Sequence, residues 1–379
     1  MTLATRPERQ DFWDGIRLLG RAPSYAFSAT VLLAATLGIG LTWALTGLLH
    51  LLVGRALHIW PASPSAWHPA SSAGEWLMNI AGDLLEPFLA VLQLVQFVLS
   101  PQLTLSTRFC IGLVGVCNLA VWLGVGAIIA RAVAVQVAEV KWGSLPRTVT
   151  EALRRVPRCW GGVALPLGAI LGLWGLIFAL GLPAIVPGLD QWWVTLLSPI
   201  GLIIGLAAAF LCLMIVVCWP WMAVSAAVED ADSFGVLSRC CSFLLSRPWL
   251  AMGLLVVVVV EGAILLLLLH WLLMWGQQLV LGAWVPTLRA EALQDAQNSL
   301  RAVAMFVYRA VATGLFWTLI TLLYLIIRRE VDGIPFETIS GAERETPVKD
   351  PYPVVGIPAT DAVIPMTVPA PANSTDEHS

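Results

Sequence analysis

Apolar residues run almost unbroken through six stretches: Tyr25 to Val53, Phe109 to Ala130, Gly162 to Leu182, Trp193 to Val217, Trp249 to Trp271 and Val303 to Ile327. A helix rising about 1.5 Å per residue needs roughly 20 mainly apolar residues to cross a hydrocarbon core about 30 Å thick. Continuous runs, rather than short alternating ones, select helix over barrel strand, because each segment in lipid must satisfy its own backbone hydrogen bonds. The pattern predicts an all-α fold, a polytopic transmembrane helix bundle of about six spans filling residues 25–330. Short connections such as Pro183 to Gln191 predict that consecutive spans pair as three antiparallel hairpins.

Trp76 to Ser100 is apolar too, but differently patterned. Asn79, Asp83, Glu86 and Gln93 recur at offsets of four, three and seven, which sets them in one polar stripe along a helix. A seventh span here would also force a strongly basic loop to the opposite side of the membrane. The stretch is therefore predicted as an outer amphipathic helix, partly sunk among headgroups. Shorter amphipathic segments precede the first, third and fifth spans: Phe12 to Pro23, Val149 to Pro157 and Phe234 to Pro248. They suggest a weak threefold repeat in which an in-plane helix introduces each hairpin. Ala283 to Arg301 reads as a further amphipathic helix running into the sixth span.

Charge gives the threading. With six spans and residues 1–24 inside as an amphipathic cytoplasmic segment, 16 of the 21 Lys and Arg fall on the cytoplasmic side; only Arg55, Arg108, Arg289, Arg301 and Arg309 fall outside. This is the positive-inside bias, and it predicts a bacterial inner-membrane protein with both termini cytoplasmic. The first span reads as a retained signal-anchor, being too long for a cleaved signal peptide. Indoles favour the headgroup level; Trp192, Trp193, Trp271 and Trp275 fall at outer ends, Trp142, Trp160, Trp219, Trp221 and Trp249 at inner ones. Residues 331–379 hold eight prolines, with eight acids against two bases, a composition that predicts a disordered cytoplasmic tail.

Composition agrees with the pattern: 58% hydrophobic, 12% charged and a mean hydropathy of +0.83 leave too little polar surface for a soluble domain. All seven cysteines lie in spans or on the expected cytoplasmic side, so a disulfide framework is not expected. No HExxH, CxxC, Walker loop, GxSxG or dinucleotide fingerprint occurs. His50, His58 and His68 are spaced by eight and ten and share no helical face, so no metal site is predicted. Cofactor, metal, enzymatic activity and nucleic-acid contact are all unexpected. The expected partners are the lipid bilayer and either another membrane protein or a second copy of this chain.

Three features remain as candidates. Gly168 with Gly172, and Gly201 with Gly205, form GxxxG pairs in the third and fourth spans, beside Pro166 and Pro199. Such pairs let helix backbones approach closely, and they are expected to pack the middle hairpin. Glu261 lies eleven residues into its apolar run, where a carboxylate must be neutral, paired or facing a polar cavity. Asn118, mid-span in the second helix, is a candidate partner, as are His270 and Arg309. Two uses are open for Glu261: interhelical hydrogen bonding, or ion coupling in a small-solute transporter. A third possibility is lipid chemistry at the outer face, which would need Asp83 and Glu86 to line a pocket with His58 or His68.

The third feature is the segment from Glu229 to Arg239, with Asp230, Asp232, Ser233, Leu237 and Ser238, followed by Arg247-Pro248-Trp249. Asp232 can cap a helix start, while Phe234, Leu237, Cys240, Cys241, Leu244 and Leu245 form an apolar face. The adjacent Cys240 and Cys241 have no further Cys or His at ligand spacing and are read as part of that face. This acidic, then Leu-Ser-Arg, then Arg-Pro-Trp layout resembles uncharacterised bacterial polytopic membrane proteins similar to the membrane domain associated with glycerophosphodiester phosphodiesterases. The resemblance covers about twenty residues and implies an integral membrane domain without catalytic residues; the soluble phosphodiesterase part is not in this sequence. The expected function is that of a non-catalytic structural or accessory membrane component, with an ion-coupled transporter using Glu261 as the alternative.

Overall fold

The computed structural model describes residues 15–49, 105–138, 145–185, 190–229, 231–285 and 289–336. The expected outer helix at 76–100, with Asn79, Asp83, Glu86 and Gln93, lies outside the described residues. So do His50, His58, His68 and the tail beyond residue 336.

The described residues form an all-α bundle. After a helical turn at 15–19 come α1 (Ala22–Ala26), α2 (Ala29–Leu49), α3 (Leu105–Val137), α4 (Leu145–Gly181), α5 (Asp190–Val228), α6 (Ser233–Ser246), α7 (Pro248–Trp284) and α8 (Ala290–Asp332). Six of these, α2 to α5 with α7 and α8, are long and apolar enough to cross a membrane. The chain is a multi-pass membrane protein. Consecutive spans pack as hairpins, α2 on α3, α4 on α5 and α7 on α8; short loops account for the last two pairs, while α2 and α3 pack together although residues 50–104 separate them in sequence.

Specific contacts fix the ends of the helices against one another. At one end Gln136 donates to Ser28 (3.2 Å), Arg131 meets Glu151 (2.9 Å), Arg155 reaches Ala227 and Arg247 meets Glu330 (3.6 Å). This is the basic end. At the far end the Trp193 indole N–H donates to the Leu180 carbonyl (2.8 Å), Trp43 packs edge-on against Phe306, and His270 meets Tyr308.

Helix α8 is the hub. It touches α1, α2, α3, α5, α6 and α7, and every residue from Ala310 to Arg328 is buried. Two of its buried hydroxyls are satisfied within the helix, since Thr318 and Thr321 donate to the carbonyls of Gly314 and Trp317 one turn back. Helices α4 and α5, by contrast, expose Leu171, Trp174, Phe178, Leu196, Leu202 and Ile203 along their far halves. In water that surface would drive aggregation; against lipid tails it costs nothing, since lipid is as apolar as leucine. Helices α7 and α8, with 37 and 43 residues, run to about 55 and 65 Å and outreach a hydrocarbon core about 30 Å thick. Of the amphipathic stretch expected at Ala283 to Arg301, residues 290–301 form the polar start of α8, whereas Ala283 and Trp284 belong to the end of α7.

Three expectations need correcting. Val149 to Pro157 is not a separate helix: α4 continues without a break through Pro157 and Pro166. Neighbouring helices can compensate for the backbone bond a proline removes, and the basic first turns of α4 are held on α3 and α5. Trp219 and Trp221 are not headgroup indoles; they are 0% and 5% exposed, and Trp219 packs edge-on against Trp317 at 5.5 Å. Trp192 and Trp249 do sit exposed at helix ends, whereas Trp271 and Trp275 are exposed well inside α7, which runs on to Trp284. Finally, Gly168, Gly172, Gly201 and Gly205 do not make the close helix contacts, since a Cβ added at any of them would meet open space. The tight approaches lie elsewhere: a Cβ on Gly126 would run into the Trp317 indole, and one on Gly38 would come within 2.8 Å of Val125 Cγ2. Spacing alone identified small residues but not the face turned to a neighbour.

Candidate functional site

The densest polar chemistry sits at the basic end, around the last turns of α5. Glu229 follows the apolar run of that helix and is 4% exposed. One oxygen, Oε1, accepts from the Tyr324 hydroxyl (2.6 Å) and lies 3.1 Å from Arg328 Nε, both on α8; the other, Oε2, pairs with Arg239 of α6. One carboxylate thus joins three helices. Arg328 and Tyr324 are themselves almost fully buried, whereas Arg239 is about half exposed.

Two residues earlier, the Ala227 carbonyl accepts from Arg155 Nη1 (2.9 Å) and Arg131 Nη1 (3.3 Å), and Arg131 Nη2 bonds Glu151 Oε2 at 2.9 Å. Carbonyls in the last turn of a helix have no intrahelical partner and carry the negative end of its dipole, so guanidinium groups satisfy them twice over. Arg131 comes from α3, and Glu151 and Arg155 from α4. The end of α5 therefore binds α3, α4, α6 and α8 through two adjoining charged clusters. In so dry a place a charge is costly unless an opposite charge lies close, and Arg131 has Glu151 at 2.9 Å, Arg328 has Glu229 at 3.1 Å and Glu229 also pairs with Arg239.

Helix α6 is positioned by its own sequence. Asp232 accepts from the Gly235 N–H at 2.8 Å, the N-cap expected of it, and Arg247-Pro248 ends α6 and opens α7. Leu237 is half-buried against the core, while Ser238, Arg247 and Trp249 point outward. Val236, Cys240 and Phe243 are buried, with the Phe243 ring packed at a tilt on Tyr324, centroids 5.6 Å apart. Burial pushes the Cys240 thiol well above its ordinary range.

Glu261 and Asn118 are not brought together. Glu261 is on α7, whose main neighbours are α8 and α6, and Asn118 is on α3. Among the described residues no hydrogen bond or ion pair reaches Glu261, and the buried Asn118 Oδ1 has no hydrogen-bond partner. Glu261 sits at the margin of the packed face of α7, half-buried beside Val258 and Gly262, with Val257, Val260 and Ile264 exposed around it. His270 is engaged with Tyr308, and Arg309 lies 6.0 Å above the Trp43 ring on α2.

No family model, curated protein or solved structure matches this chain. Function must be read from geometry. Among the described residues no group of three His, Cys, Asp or Glu side chains is placed to hold a metal ion. In the sequence Glu229 stands out only as a motif residue, and Arg131 and Arg328 only as markers of sidedness. A usable signal was present, however: each is the first charge after a long apolar run, and the alternating direction of the spans puts all three at one level.

Proposed function

We propose that this chain is a non-catalytic structural or accessory component of a bacterial inner membrane, threaded with both termini in the cytoplasm and its basic end facing the cytosol. The reading is carried by the hub helix: α8 is packed on all sides from Ala310 to Arg328 and tied at its end by Glu229. A helix so clamped supports a rigid platform rather than one that rocks between two states. The basic end fits the positive-inside bias, with Arg17, Arg21, Arg154, Arg155, Arg158, Arg239, Arg247, Arg328 and Arg329 near one level. The likeness of residues 229–249 to a membrane domain that accompanies a soluble enzyme suits an accessory role. The lipid-facing far halves of α4 and α5 are the surface on which another membrane protein or a second copy would pack.

The transporter alternative rests on one observation, the unpartnered Glu261 within an apolar helix. Replacing it by Gln separates the two. On the accessory reading, Glu261→Gln leaves protein level and the deletion phenotype's complementation unchanged. Loss of complementation at normal level would replace that reading with ion coupling. Reporter fusions after Ser246 and after residue 285 test the threading, and activity of a cytoplasmic reporter after residue 285 would refute it.

A further inference from the structure

We propose that two copies of this chain associate through the exposed seam of α7, with the Glu261 carboxyl groups of the two copies hydrogen-bonded to each other inside the bilayer. Such a dimer goes beyond the accessory reading and requires only that α7 cross the membrane. Glu261 lies about 20 Å along the helix from Pro248, within a hydrocarbon core about 30 Å thick. Its side chain is too short to reach either headgroup layer, and lipid tails offer neither donor nor acceptor at that depth. Among the described residues no hydrogen bond or ion pair reaches it from within the chain. A polar group so placed is satisfied by another helix, and the face of α7 that carries it shows which one.

Val257, Glu261, Ile264, Leu268, Trp271 and Trp275 follow one another at alternating steps of four and three, the repeat that keeps one seam turned to a partner in left-handed helix pairs. The five apolar members are 43 to 64% exposed, and Leu272 and Leu279 beside them 66% and 76%. Together they expose on the order of 800 Å², the share one partner brings to a standard interface. Trp271 and Trp275 are already packed edge-on, centroids 6.2 Å apart. Copies threaded the same way in one membrane are related by a two-fold axis along the membrane normal, so α7 meets α7 in parallel and each seam residue faces its equivalent at the same depth. A carboxylic acid suits that symmetry. The O–H of each donates to the carbonyl oxygen of the other, so one residue supplies both halves of the pair.

The outer end of the seam points the same way. Arg247 with Glu330 and His270 with Tyr308 set the register of the antiparallel α7–α8 pair, which places Leu279 beside the polar stretch from Glu291 to Arg301. At the usual tilt of about 20° it stands about 45 Å from the level of Arg247, past tails that end at about 30 Å. Lipid tails do not cover it there, whereas the same leucine of a second copy does. Residues 165–181 and 192–210, the far halves of α4 and α5, carry no ionisable side chain and are left to lipid or to another membrane protein.

The test uses the full-length protein in bacterial membranes, with the photocrosslinker p-benzoylphenylalanine in place of Leu268 or, as a control on α5, in place of Leu202. The expected result on irradiation is a covalent dimer from position 268 whose mapped partner peptide is α7, and none from position 202. Association is then measured in liposomes by energy transfer between donor-tagged and acceptor-tagged copies across a range of protein-to-lipid ratios. Glu261→Leu should weaken it about tenfold through loss of an interhelical hydrogen bond, whereas Glu261→Gln, whose amide also both donates and accepts, should stay within about threefold of wild type. Leucine suits a lipid-exposed helix and leaves no group of the chain unpaired, so the variant keeps its fold. Position 268 cross-linking only to lipid or to a different protein, a dimer formed from position 202 instead, or a Glu261→Leu protein that associates as tightly as wild type would each overturn the proposal. None of these outcomes touches the threading or the accessory reading, which are decided by reporter activity and complementation.

Discussion

Removing the carboxylate of Glu229 strips three partners at once. In Glu229→Ala, Arg328 remains 5% exposed with no negative charge at its Nε, the Tyr324 hydroxyl loses its acceptor, and Arg239 is released toward solvent. Breaking a buried pair by deleting one member typically costs about 3 to 5 kcal/mol, because the other charge is left uncompensated. The parts should rank by burial. Tyr324→Phe removes one hydrogen bond to a charged acceptor, about 1.5 to 3 kcal/mol. Arg239→Ala removes an ion pair whose cation is half exposed, so screening limits its cost to about 0.5 to 1 kcal/mol. The assay is reversible unfolding in mixed micelles titrated with denaturing detergent, followed by tryptophan fluorescence. The double variant Glu229→Met with Arg328→Met should recover much of the loss, since an apolar pair of similar volume leaves no buried charge behind. A Glu229→Ala protein within about 1 kcal/mol of wild type, or an Arg239→Ala loss equal to that of Glu229→Ala, would refute the view that Glu229 is a desolvated tie between three helices.

The same geometry sets further outcomes. Gly126→Ala should destabilise by about 1 to 3 kcal/mol, because the new methyl occupies the space of the Trp317 indole, whereas Gly172→Ala, facing open space, should leave the melting temperature in detergent unchanged. Asp232→Ala should cost about 1 kcal/mol through the lost cap on α6, with Asp232→Asn close to wild type in the same unfolding assay. Iodoacetamide labelling of Cys241 should already accelerate between pH 6 and pH 8, because its thiol is pulled below the ordinary range and gives way to thiolate sooner than a free thiol would.

How far the sequence reached is clearest from individual residues. The six apolar runs determined the span count, the helical class and the hairpin pairing, because lipid leaves a backbone only one local way to satisfy itself and each run contains its own answer. The cap at Asp232 and the break at Arg247-Pro248 were equally legible, being interactions within a few residues. Neither the GxxxG glycines nor Trp219 and Trp221 could be placed in the same way, since in a helix apolar on every side the sequence does not say which face meets protein and which meets lipid. The tertiary structure decided that α8 is the hub, that close approaches occur at Gly126 and Gly38 rather than at Gly168 or Gly201, and that Glu229 reaches Tyr324 some 95 positions away. Hydrophobicity assigns a segment to the membrane one helix at a time, but the pairing of a buried charge depends on which helices touch, and that is a property of the assembled bundle.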